Sequence, residues 1–138
     1  MKRENKITKE AAMEIIKDWC DFFNEPIDEQ TIENSSMLKA VMEGRLDLNE
    51  DTEEFTVELR KPLTLENGQS VSSISVKDPG ASYLLDKQKV MKKGNALEME
   101  LDAVASQMTL ATDLALGVLR RMSTHDTNTV NEVLGFFR

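Results

Sequence analysis

Residues 55–80 read FTVELRKPLTLENGQSVSSISVKDPG, and this stretch decides the fold. Phe55, Val57 and Leu59 alternate with polar residues at the period of a strand with one face buried. Pro62 interrupts the run, Leu63 and Leu65 follow, and Asn67-Gly68 supplies the dipeptide that accepts positive φ in a tight type I′ turn. Val71, Ile74 and Val76 form the return strand. Val71 is out of phase with the other two, which predicts a bulge near Ser72 and Ser73. Upstream, Leu46 and Leu48 alternate in the same way and the polar run Asn49–Glu53 leads into Phe55, so a further hairpin precedes. The result is a small antiparallel sheet of three or four strands, ended by Asp78-Pro79-Gly80.

Helices flank the sheet, which makes the class α+β with an N-terminal helical extension. Thr8 caps a helix whose apolar residues Ala12, Ile15, Ile16, Trp19, Cys20 and Phe23 recur at three and four. After Asn24, Pro26 and Asp28 a weaker helical pattern runs to Glu43 and stops at Gly44; Ser35 can restart it, so one helix or two is open. Beyond the sheet, Ser82 caps a short helix ending at Gly94, a long pattern runs from Ala96 to Met122, and Asp126 caps a last helix ending at Phe136 and Phe137.

Charge divides the chain. Residues 1–54 hold 7 Lys and Arg against 15 Asp and Glu, and residues 55–138 hold 10 against 10, so the whole net charge of −8 sits in the first segment. The step suggests an acidic helical segment over 1–54 and a sheet-plus-helices unit over 55–138. A surplus of this sign repels phosphates and anionic head groups, which argues against nucleic acid and membrane as partners. No run approaches the ~18 apolar residues of a membrane span. Cys20 is the only cysteine and the N-terminus MKRENKITKE opens without an apolar leader, so the expected location is the cytoplasm.

The long helical pattern has little polar surface. On a helical wheel Leu97, Leu101, Val104, Met108, Ala111, Ala115, Leu119 and Met122 make one stripe, and Ala103, Leu110, Leu114 and Val118 make a second beside it. Either the terminal helix covers the second stripe, or Leu110, Leu114 and Val118 join Phe136 and Phe137 in a partner-binding surface.

Catalytic and metal readings find little to stand on. Asp47, Asn49, Asp51 and Glu58 match a calcium loop at positions 1, 3, 5 and 12, but position 6 is Thr52 where the sharp turn needs glycine, and a strand follows. His125, the only histidine, reads as a loop residue with no nucleophile fixed beside it, and Cys20 as a buried, inert thiol. The glycines never form a phosphate loop. The expectation is a protein without cofactor, metal or catalytic residue. Its acidic run 43–54 is either a solvated surface or a guide for a basic partner. Lys87, Lys89, Lys92 and Lys93 suit a helix C-terminus.

The run over residues 55–86 resembles the opening of the small tail assembly chaperones of Mu-like and related long-tailed phages. The pieces are Val57-Glu58-Leu59, Pro62-Leu63, Asn67-Gly68, Ile74-Ser75-Val76, Lys77-Asp78-Pro79 and the start of a helix at Ser82. The resemblance covers residues 55–138; residues 1–54 have no counterpart, and Met122-Ser123-Thr124 stands where many members carry a Gly-Leu-Pro or Gly-Leu-Ser loop. It implies a protein that self-associates in the host cytoplasm, coats the tape measure protein and is absent from the finished virion. The alternatives are a structural component of a tail or injection machine, and an acidic dimeric chaperone for a secreted effector.

Overall fold

The computed structural model describes residues 5–80 and 107–137. The helix expected over 82–94, the lysine cluster and residues 97–104 of the long pattern lie outside them.

Helix α1, Lys9–Phe23, starts where Thr8 Oγ1 accepts the Ala11 N–H at 3.1 Å, and ends at Asn24 in the left-handed region (φ 52°). Ala12, Ile16, Trp19 and Cys20 form its buried side. The weaker pattern resolves into two helices. Asp28 caps α2, Glu29–Glu33, and Ser35 caps α3, Ser36–Met42, through the Thr31 and Leu38 N–H groups. At the end of α3, the Gly44 N–H donates to Val41 O and the Arg45 N–H to Ala40 O, with Gly44 at φ 73°. This Schellman turn needs the positive φ that glycine takes without a Cβ penalty, and it delivers Arg45 to the edge of the sheet.

The sheet is an antiparallel meander in the order β1 (Leu46–Asn49), β2 (Glu54–Thr64), β3 (Ser70–Val76). Leu46 faces Val57 and Leu48 faces Phe55; Phe55 faces Val76 and Val57 faces Ile74. These six side chains are buried on one face, while Asp47, Thr56, Glu58, Ser73 and Ser75 are exposed. The expected irregularity lies beside Ser72 and Ser73, but the extra residues belong to β2. Pairing passes from Glu58↔Ser73 to Leu63↔Val71, so four residues of β2, 59–62, stand against Ser72 alone. Pro62, which lacks an N–H to donate, sits in this bulge and does not end the strand. The Asn67-Gly68 turn also differs from type I′. Only Gly68 has positive φ, and bonds from Gly68 N–H to Leu65 O and from Leu65 N–H to Gln69 O make a type I turn with a glycine bulge.

The long helix is broken. Residues 107–112 are helical, Asp113 turns to φ 59°, and α4 covers Leu116–Leu119. The end of β3 meets the chain at this break: the Lys77 N–H donates to Ala111 O, and Lys77 Nζ pairs with Asp113 Oδ2 at 2.6 Å. The last helix, α5, spans Thr124–Leu134 and is capped by Ser123, not by Asp126; a 3₁₀ turn, Gly135–Phe137, follows.

The charge step at 54/55 falls inside the β1–β2 hairpin. One core takes Ala12, Ile16, Trp19 and Leu38 from the acidic segment and Phe55, Val57, Val133 and Phe136 from the remainder. The change in charge is therefore a change of surface within a shared core.

Candidate functional site

The residues expected to bind a partner do not form one exposed surface. Val118 and Phe136 are buried, Phe137 and Leu114 are half-buried against the core, and Leu110 is half-buried. The break at Asp113 rotates α4 relative to residues 107–112, so positions 110, 114 and 118 no longer share a helical face. Phe136 stacks on Phe55 with ring centroids 5.4 Å apart. The large apolar side chains left exposed among the described residues are Phe22 and Leu116, at 40% and 39%.

The structure adds a buried charge network that the sequence does not announce. Arg45, whose side chain is 0% exposed, sits between Glu43 (2.9 Å) and Asp126 (3.6 Å), donates to the Glu58 carbonyl, and places Nη2 2.7 Å from His125 Nε2. Arg60 pairs with the other oxygen of Glu43. Asp126 accepts the N–H groups of Arg60 and Lys61 at 3.0 and 3.3 Å, the amides that the β2 bulge leaves without a strand partner. The carboxylate on the first turn of α5 thereby completes the irregular strand. Burial works against the Glu43 carboxylate, but hydrogen bonds from Arg60 and Arg45 outweigh it and hold the carboxyl below its usual value.

His125 lies in α5, half-buried, not in a loop. Arginine only donates, so Nε2 must accept and the ring proton sits on Nδ1. Burial, then Arg60 and Arg45, push its pKa below 6.5, against the opposing pull of Asp126 and Glu43. Because the folded state holds this proton less tightly than the unfolded chain, His125's contribution to stability is complete above about pH 6.5 and is lost as the pH falls. Urea titrations between about pH 7 and 5 are expected to show stability falling with acid, and His125→Gln to flatten that slope. An unchanged slope in the variant would remove His125 as its source.

The signals for this network are local and partial. Ser123-Thr124-His125-Asp126 has the spacing of a capping box, which marks the start of α5, but Asp126 turns outward to β2. Cys20 is buried, and burial raises its thiol pKa, as fits an inert side chain. In the run with calcium-loop spacing, Asn49 Oδ1 accepts the Asp51 and Thr52 N–H groups and so shapes the hairpin turn.

A second feature is a groove of about 790 Å³ along the α1–α2 connection, α2 and the C-terminal end of α5. Ile27, Ile32 and Met37 supply its apolar lining, and Glu25, Asp28 and Glu132 its carboxylates. Glu132 reaches from α5 to the N-terminus of α3, where its oxygens accept the Ser36 and Met37 N–H groups at 2.8 and 3.2 Å. Burial raises its pKa in spite of those two bonds. Among the described residues no helix is long and apolar enough to cross a membrane. Compared with known proteins, the chain matches no family model, no curated protein and no solved structure.

Proposed function

We propose that this protein is a tail assembly chaperone of a long-tailed phage, which associates with itself and binds the tape measure protein while the tail is built. The observation that carries the reading is the order of pieces from β2 onward. A strand, a hairpin at Asn67-Gly68, a return strand and a turn at Asp78-Pro79-Gly80 follow one another as in the family the sequence resembles. Binding of this kind draws on accessible apolar side chains carried by a charged body. Exposed Leu116 with half-buried Leu114, and exposed Phe22, are such side chains on a chain of net charge −8.

The test is co-expression with a tape measure protein, followed by light scattering after size exclusion and mass spectrometry of finished particles. The expected result is an oligomer that retains the tape measure protein and is missing from the particles. Leu116→Asp should weaken association about tenfold while leaving a folded chain, since the side chain is partly in water already. Persistence in finished particles would make the protein a structural component. A strict monomer that retains no tape measure protein would end the reading.

A further inference from the structure

We infer that the groove between α2 and the C-terminal end of α5 is a docking site for a polypeptide segment that carries Lys or Arg beside aliphatic side chains. Its size, about 790 Å³, suits several side chains at once. Ile27, half-buried at the rim, is its most accessible apolar side chain; Ile32 and Met37 lie beneath it at 1% and 3% exposed, and Gln30, Thr31, Asn34 and Ser35 complete the lining. The walls hold the carboxylates of Glu25, Asp28 and Glu132, and among the described residues no Lys or Arg lines the groove. Apolar side chains between acidic walls select an aliphatic segment bearing cations and repel an acidic one.

The acidic residues nearby are not all alike. Glu29 and Glu33 are already paired, with Lys17 and Lys9. Among the described residues, Glu132 instead receives backbone amides alone and no cation pairs with it. A cation brought by a partner would supply what this half-buried carboxylate lacks, in a site where burial strengthens the attraction. The segment is a peptide and not a nucleic acid, because phosphates would face the same three carboxylates.

This inference rests on reading the protein as a binder of polypeptide chains and names where one segment sits. The probe is a labelled amphipathic peptide of lysine and leucine, titrated against the full chain by fluorescence anisotropy. Two control peptides replace lysine by glutamate or leucine by serine. The lysine–leucine peptide is expected to bind and both controls to bind at least about tenfold more weakly. The double variant Glu25→Gln with Asp28→Asn should lose about tenfold in affinity and much of the salt dependence. Its circular dichroism should not change, because asparagine keeps the cap of α2.

Equal binding by the lysine–serine peptide, unchanged affinity in the double variant, or no binding would overturn the proposal. If the tape measure protein is retained and the peptide is not, the groove assignment fails and the chaperone reading stands. If the peptide is held through Glu25 and Asp28 but no tail protein is retained, the groove assignment stands and the chaperone reading fails.

Discussion

Asp126→Ala is expected to destabilise the fold by about 3–5 kcal/mol, the usual cost of breaking a buried ion pair by removing one partner. Asp126 is 0% exposed and meets three demands together: the Arg45 guanidinium and the two β2 amides of Arg60 and Lys61. With alanine, Glu43 remains as the carboxylate on Arg45, and two backbone donors lose their acceptor, each a liability of about 1–3 kcal/mol that overlaps with the first figure. Since domains of this size are stable by about 5–15 kcal/mol in total, the midpoint of thermal unfolding should fall by about 10–20 °C. Asp126→Asn should lose less, because its amide oxygen still accepts one of the two amides. Adding Arg45→Met to Asp126→Ala should restore part of the loss, since it removes the under-partnered cation. Urea and thermal denaturation of the four chains measure all of this. An Asp126→Ala chain within about 1 kcal/mol of the parent would show that water and Glu43 satisfy Arg45 without it.

The network also explains why the fold is easier to read from the sequence than its sites. Strand alternation at 46–48, 55–59 and 74–76, the cap at Thr8 and the restart at Ser35 are local signals, and the structure repeats them. The break at Asp113 cannot be read that way. Helical periodicity continues through it, and the residue that meets the chain there, Lys77, lies 36 positions away from Asp113. The phase of the second stripe holds only for an unbroken helix, and without that continuity Leu114 and Val118 leave the face that carries Leu110. Arg45 and His125 are 80 positions apart in the chain, and neither looks unusual until the Schellman turn at Gly44 and the cap at Ser123 bring them together. The groove is hidden in the sequence for the same reason, since Glu132 joins residues 25–37 only through the packing of α5 on α3.

Phe55→Ala should destabilise by a similar amount through packing alone. Phe55 is 0% exposed and lies where the two halves of the chain meet. Its ring stacks on Phe23 at 5.7 Å and Phe136 at 5.4 Å, meets the edge of Trp19 at 5.2 Å, and reaches Phe137 at 6.0 Å. Truncating a buried phenylalanine usually costs about 3–5 kcal/mol, because the transfer free energy is lost and the cavity collapses only in part. Four aromatic neighbours place Phe55 toward the upper end, since each such pair adds about 0.5–1.5 kcal/mol beyond the area buried. Phe55→Leu should recover much of the loss by refilling the volume while still lacking the ring contacts. Trp19 reports on the site directly, because its indole packs on both Phe55 and Phe136, so its emission should shift in Phe55→Ala before global unfolding. A loss under about 1.5 kcal/mol with unchanged Trp19 emission would mean that the terminal Gly135–Phe137 turn is not held on this ring, and would detach the C-terminal aromatics from the shared core.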